Sequence, residues 1–467
     1  MFTKIAKVVG WIVAGIVALV VLLYLGVVAI NWRDKEPSEA AVRFESLHRD
    51  RPAVADQDNA YIYMMGLGAA PSEDAYQVGL RRKVWLEMSR PLGRFEKEAD
   101  PHGDIYDLRK DRSKELTALL DQCRPGDSRC AAEFDRGEAV LKEWLKTEGW
   151  LLERYQSLLN VPQWLEPSPY DVEEPLPPYQ VALDGQRLLL AKALLLAKSN
   201  DARGARALIE QDIRFWRNVL QSSDLLISKM IATVALTRQF ELGNVVLRQL
   251  SGAKAIDAMP ASWRQALSKD EYSMLRCFVG EWKFSSAVLH KLERTGDLST
   301  ATFTEEHRAW IGKITDALFL PLFQYQDTTN KSAEHLLAVT QALDAPFDEF
   351  KMATEKSAAI SEQYQSDAFP PKSAYNPVGN ALLGISSVSY LKYAKRVMDI
   401  EGTRRAALAA AMLRQRGIKP DAVAAELKSL DVRNPYDNEP FEWDEATGSI
   451  VFTGLAEDDR RVHKILY

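Results

Sequence analysis

Between Val8 and Ile30 the chain carries no charged residue, an apolar run of 23 positions. As a helix rising 1.5 Å per residue, such a run spans about 34 Å, enough for a hydrocarbon core of roughly 30 Å. Trp11 and Trp32 stand near its ends, where amphipathic rings favour the membrane interface. Lys4 and Lys7 precede the run, and Arg33, Asp34, Lys35 and Glu36 end it. A cleaved signal peptide has a shorter apolar stretch of about 7–15 residues, although Val27 and Ala29 imitate a small-residue cleavage site. A buried soluble helix would be apolar along one stripe, whereas here Val, Ile and Leu surround the whole helix. The run reads as an uncleaved anchor.

Which way the anchor points is set by weaker signals. Two lysines and the terminal amine precede it, while Arg33 and Lys35 follow, so the basic bias toward a cytoplasmic N-terminus is slight. Cys123 and Cys130 add to it. They bracket Arg-Pro-Gly-Asp-Ser-Arg, and Pro125-Gly126 lets the chain turn back and bring the thiols together. A disulfide closing this loop of about eight residues contributes roughly 2.5 kcal/mol in the chain-entropy model. Disulfides persist outside the reducing cytosol. The alternative is two unrelated reduced cysteines; a metal pair lacks further Cys or His at ligand spacing. Cys277, in Tyr-Ser-Met-Leu-Arg-Cys-Phe-Val, reads as a buried small hydrophobe on a helix. The expected topology is a bacterial inner-membrane protein, single-pass, with a cytoplasmic N-terminus and a periplasmic body. That body keeps 57 of the 59 basic residues and all 65 acidic ones, a formal charge of −8. Such a balance disfavours nucleic acid and broad attraction to anionic lipid. With 46% hydrophobic and 27% charged residues in 467, disorder and a small disulfide scaffold are excluded.

The expected fold class is mainly α: an N-terminal transmembrane helix, then a helical body of hairpins, bundle or irregular solenoid, with a small C-terminal β-hairpin. The divisions are 1–7 as a cytoplasmic tail, 8–32 as the membrane helix, and 33–160 as an N-terminal helical region. A Pro-rich strap follows over 161–179, a central helical region over 180–368, and a long helix plus hairpin over 369–467. Residues 33–60 read as a short stalk leading into a helix around Ser38–His48. Helical periodicity marks 103–122, 137–160, 180–199, 203–221, 223–250, 305–326, 332–365 and 385–417. In 203–221, Ala205, Ile209, Ile213, Trp216 and Leu220 form one stripe. Ser199-Asn-Asp is a short polar connection of the kind that joins antiparallel helices. In the strap, Trp164, Tyr170 and Tyr179 can pack onto helices while the prolines forbid one continuous helix. Gly417-Ile-Lys-Pro matches a helix C-cap followed by proline. Phe441–Glu445 and Ile450–Thr453, joined by Ala-Thr-Gly-Ser, read as the hairpin.

The anchor, the Cys-x6-Cys turn, Leu-Leu-Glu-Arg-Tyr, Pro-Leu-Pro-Pro-Tyr, Phe-Trp-Arg, Asn-Pro-Val-Gly and Asn-Pro-Tyr-Asp-Asn-Glu-Pro-Phe-Glu-Trp-Asp together resemble a group of uncharacterised proteobacterial membrane-anchored helical proteins. That resemblance covers most of the chain and implies no activity. The tail from Asn434 to Trp443 is also similar to the C-terminal segment of type II secretion pseudopilins. The N-terminus departs from that family, having no Gly-Phe-Thr-Leu-Ile-Glu processing site and no glutamate inside the apolar run.

Chemistry-bearing motifs are sparse. No Gly-x-Ser-x-Gly, phosphate loop or His-Glu-x-x-His occurs. Gly66 and Gly68 lack the third glycine of a dinucleotide loop, position 71 being proline. Ser389 and Lys392 share a helical face without the companion motifs of a serine–lysine enzyme. His307, with Glu305 and Glu306, reads as the first turn of a helix capped by Thr304 or Thr302. His290 and Glu293 read as an exposed pair, and Glu173-Glu174 as solvated acids of the strap. The 11 tryptophans read as core and belt rather than as a sugar cleft. No residue is assigned a catalytic, cofactor-binding or metal role, and Cys123 with Cys130 is the one expected site pair. The reading is an envelope scaffold or protein-interaction module with an envelope protein partner. The alternative is an anchored hydrolase of cell-wall or lipid material, and a ligand sensor would need a partner for output.

Overall fold

The computed structural model describes residues 2–90, 105–123, 129–167, 174–250, 254, 258–296, 310–368, 373–386, 390–458 and 461–467. The chain is mainly helical, with one small antiparallel sheet near the C-terminus. In chain order the first helices are α1 (Phe2–Ile30), α2 (Glu39–Arg49), α3 (Ala60–Met65), α4 (Ala75–Ser89), α5 (Lys114–Gln122) and α6 (Cys130–Arg136). Then come α7 (Glu138–Thr147), α8 (Gly149–Leu159), α9 (Tyr179–Lys198), α10 (Ala202–Ser222), α11 (Leu226–Leu247) and α12 (Leu275–Thr295). The last are α13 (Trp310–Phe319), α14 (Tyr325–Leu343), α15 (Phe350–Ala368), α16 (Pro377–Ser386), α17 (Leu391–Gln415) and α18 (Val423–Ser429).

Contacts group the chain into two units. The first comprises Met1–Asp50, Trp282–Gln341 and Lys356–Ser389. Its α1 holds a stretch, Lys7–Ile30, long and apolar enough to cross a membrane, and none of that stretch is buried in the protein. Where α1 ends, polar side chains take over. Asn31 donates from Nδ2 to the Ala374 carbonyl (2.8 Å) and accepts from the Asn376 amide (2.6 Å), and its own carbonyl accepts from Gln324 Nε2 (2.7 Å). Asn376 Oδ1 in turn accepts from the Gln324 amide (2.9 Å). Asp34 caps α14, accepting from the Gln326 and Asp327 amides at 2.6 and 3.0 Å. Lys35 pairs with Asp327 at 2.7 Å, and Asn330 bonds both the Ser38 amide and the Glu36 carbonyl at 2.8 Å. Residues 31–38 are therefore stitched down along their length, unlike a free stalk, before Ser38 caps α2. Phe44, fully buried, meets the edge of Trp282 at 5.8 Å, whose indole N–H donates to Thr329.

The second unit comprises Arg51–Glu281, Ala342–Glu355 and Tyr390–Tyr467. α9, α10 and α11 pack on one another, with α17 on α11. The expected stripe of α10 is fully buried, Trp216 included. α9 and α10 join through Ser199-Asn-Asp, where Asn200 takes φ +70° and Asp201 caps α10 through its side chain. The described part of the strap is packed: Trp164 is buried between the edges of Tyr61 and Phe215, and Tyr179 is buried as well. Tyr170 lies outside the described residues. Glu174 departs from the expectation of a solvated acid, since its carboxylate is buried against Arg90.

Several helix expectations divide where local chemistry intervenes. The 137–160 segment breaks at Glu148, and the 332–365 segment breaks before Pro346, which cannot supply an amide to a continuing helix. Pro321 likewise ends α13 and α14 starts afresh at Tyr325. α17 ends as expected: Gly417, at φ +71°, lets the Ile418 amide reach the Leu413 carbonyl and its own amide reach Arg414. The hairpin of β1 (Glu442–Asp444) and β2 (Ser449–Thr453) gains a third antiparallel strand, β3 (Val462–Leu466), that the sequence reading missed. Ile450, Phe452, His463 and Ile465 form its buried face. Phe452 lies against Gly402 of α17 so closely that a Cβ there would sit 2.0 Å from its ring.

The α3–α4 pair crosses through two glycines. A Cβ on Gly66 would sit 1.9 Å from the Ala75 carbonyl oxygen, and one on Gly79 would sit 1.9 Å from that of Ile62. Neither backbone can give way to it. Gly66→Ala or Gly79→Ala should therefore cost about 2 kcal/mol or more, whereas Gly149→Ala, with open space at the start of α8, should be neutral or mildly stabilising. Urea midpoints of the detergent-solubilised chain, followed by circular dichroism, would check this; equal midpoints for all three variants would refute the crossing.

Candidate functional site

A concentration of buried charge around an open space lies in the second unit. A cavity of about 810 Å³ is lined by residues 105–108 and by side chains of α5 and α9, with Arg112 and Arg238. Local sequence explains the arrangement. On α9, Gln180, Asp184 and Arg187 recur at three-to-four spacing, so one face of a largely apolar helix carries a polar row. Ser113 caps α5, and Arg112 precedes that cap. Glu148, at the break between α7 and α8, has a buried side chain aimed at Arg112.

Arg112 forms a two-pronged pair with Glu148, through Nε at 2.6 Å and Nη2 at 2.8 Å, and reaches Asp184 at 3.0 Å. Burial works against its charge, but Glu148 and Asp184 outweigh burial and raise its pKa. Asp184 also accepts from Arg187 Nη1 (3.0 Å) and Gln180 Nε2 (3.1 Å). Arg187 Nη2 donates to the Cys123 carbonyl at 2.8 Å, and its buried Nε has no partner among the described residues. Burial lowers the Arg187 pKa, and Asp184 opposes that shift. Arg238, from α11, is buried, and its hydrogen bonds among the described residues are two long ones, to the Leu183 carbonyl and Gln186 Oε1, both 3.5 Å. No carboxylate lies within ion-pair distance of it among the described residues. Burial, with Arg187 as a like-charged neighbour, pulls its pKa down to about 9. The floor thus holds three guanidinium groups against two carboxylates, while Asp107 and Asp121 stand at the exposed rim.

Cys123 and Cys130 are brought together, with sulfurs 2.08 Å apart and Cα atoms 4.5 Å apart. Cys123 follows α5 directly, so the crosslinked turn presents its carbonyl to Arg187. Cys277 is buried on α12, as expected of a small hydrophobe, and burial pushes its thiol up to about 12. His290 and Glu293 lie 3.3 Å apart and half exposed. Ser389, His307, Glu305, Glu306, Thr302, Thr304 and Glu173 lie outside the described residues. Lys392 is described and stands over the Tyr393 ring.

Two further buried acids belong to the scaffold. Asp212, fully buried, accepts from the Tyr155 hydroxyl at 2.6 Å and from Gln186 at 2.9 Å. Glu166, also fully buried, accepts from the Asp224 and Leu225 amides at the start of α11 and from the Trp164 indole. Burial raises both carboxyls to about 7, against the hydrogen bonds they accept. The arginine floor escaped sequence reading because its members lie at 112, 187 and 238, with no motif joining them. The one available signal was an arginine in each of two strongly apolar helices, α9 and α11.

Comparison with protein-family models, curated proteins and solved structures gives no match.

Two outcomes follow from these buried charges. Since Asp212 and Glu166 hold protons in the folded chain up to about pH 7 but in the unfolded chain only up to about 4, their contribution to stability should fall by roughly 1 kcal/mol per pH unit and group across that window. The urea midpoint should drop from pH 5 to pH 8, with Asp212→Asn flattening the slope; a pH-independent midpoint would contradict it. Arg238→Leu, which removes an unpaired buried charge, should leave stability unchanged or raise it by about 1–3 kcal/mol, whereas Arg112→Leu, which strands Glu148, should cost about 3–5 kcal/mol. Thermal melts of the two variants would decide, and a marked loss in the first would refute the assignment.

Proposed function

We propose that this chain is a single-pass protein of a bacterial inner membrane, with a cytoplasmic N-terminus, a periplasmic body and a binding role in the envelope. The exposed apolar α1, flanked by Trp11 and Trp32, supports the anchor. The crosslinked Cys123–Cys130 turn supports an oxidising compartment for the body. The observation that carries the binding role is Arg238, a buried cation on a cavity floor with no carboxylate at ion-pair distance among the described residues. Holding such a charge costs stability, and the open space beside Arg238 is where an anionic ligand would offset that cost. The basic floor suits an anionic group carried by an envelope partner or ligand. The alternative of a hydrolase has less support at this cavity, because Asp184 and Glu148 are both engaged by arginines.

An alkaline phosphatase fused after Tyr467 should be active in cells, and a green fluorescent protein at the same point dark; the reverse would place the body in the cytosol. A photo-crosslinking residue at Ile105, at the cavity wall and half exposed, should capture a discrete adduct that Arg238→Gln abolishes. An adduct captured equally by both forms would remove the arginine floor from the binding role.

A further inference from the structure

Within the first unit, α13 is exposed where a soluble helix would be covered. Ile314, Leu318 and Phe319 are 48%, 46% and 47% exposed, and the nearby α16 leaves Ile385 76% exposed. The single turn Leu320–Leu322 packs against α1, α13 and α16, which ties these exposed side chains to the apolar helix. A hydrogen bond fixes where along that helix they sit: the Tyr24 hydroxyl donates to the Leu318 carbonyl at 2.9 Å. Tyr24 lies six residues before Ile30, roughly 9 Å along the helix axis. For an untilted, centred span of 24 residues, about 36 Å long, the hydrocarbon boundary falls roughly 3 Å inside Ile30. The Tyr24 backbone then lies roughly 6 Å below that boundary, the depth at which amphipathic interfacial helices seat their apolar faces, and the Leu318 carbonyl is tied to it within the reach of one side chain.

We propose that α13, with the Ile385 end of α16, lies in the leaflet at the Ile30 end of α1, as a second lipid-contacting element that does not cross the bilayer. Lipid is the occupant because these exposed apolar side chains are tied to the exposed apolar α1 by the Tyr24–Leu318 hydrogen bond and by the Leu320–Leu322 turn, at acyl depth. The hydrogen bond between Tyr24 and Leu318 also removes a hydroxyl from a medium that would otherwise leave it unsatisfied. Two contacts with one leaflet restrain both tilt and rotation of α1, which a lone helix leaves loose.

The inference rests on reading α1 as a membrane span, and the test separates the two. The full chain is reconstituted in phosphatidylcholine–phosphatidylglycerol vesicles with one nitroxide at a time, introduced by Ile314→Cys, Phe319→Cys, Val20→Cys in the span, or Glu39→Cys beyond it. Cys277 does not compete for label, because burial holds its thiol near 12. Relative accessibility to oxygen over a water-soluble nickel chelate is then measured. The Ile314 and Phe319 positions should fall between Glu39 and Val20, exceeding Glu39 by about threefold or more. A membrane-like Val20 with water-like Ile314 and Phe319 would overturn the second contact alone. A water-like Val20 would overturn the anchor, and this inference with it.

Discussion

The first unit depends on how an apolar helix is joined to a folded body without leaving backbone groups unpaired. Its solution is the knot of Asn31, Gln324 and Asn376, whose amides satisfy one another and the chain ends they meet. Asp34 and Asn330 extend the knot onto the first turns of α14. Amide side chains suit this task because each offers donors and an acceptor in a short, rigid frame. They bring no charge that burial would penalise. A helix end held by several such bonds cannot swivel as a flexible stalk would, so the orientation of α1 within its unit is inherited by everything packed beside it.

The second unit solves a different problem, the burial of ionised groups. Its acids are mostly answered by arginines: Glu148 by Arg112, Asp184 by Arg112 and Arg187, Glu271 by Arg217, and Glu401 by Arg404 and Arg405. Arginine is suited to such sites because its planar fork can satisfy two oxygens at once and stays charged when buried. Against this pattern Arg238, Lys229 and Arg414 are cations held by neutral acceptors, and Asp212 and Glu166 are acids held by hydrogen bonds alone or nearly so. Of these groups, the cavity opens on Arg238.

Much of the helical architecture was legible in the residues. The stripe from Ala205 to Leu220 gave α10 and its buried face, Ser199-Asn-Asp gave the turn into it, and Gly417 gave the end of α17, because each depends on a few adjacent positions. Long helices that pass through Glu148 or Pro346 were over-extended, since apolar periodicity continues across a break that only local geometry enforces. β3 was missed because five alternating residues at a chain end, Val462–Leu466, become a strand only when β2 offers an unpaired edge. Of the candidate site, the Cys123–Cys130 turn was legible from spacing and turn chemistry. The floor it supports was not, since Arg112, Arg187 and Arg238 are ordinary in sequence and acquire meaning from what surrounds them.

By itself the sequence determined an apolar N-terminal helix, a helical body and a turn that joins two thiols, because periodicity, length and local turn chemistry act over short distances along the chain. Only the tertiary structure decided which charges are answered and which are stranded, and which apolar side chains stay uncovered beside α1. Burial and pairing are properties of neighbours in space, and residues 24 and 318, or 187 and 238, become neighbours only after folding.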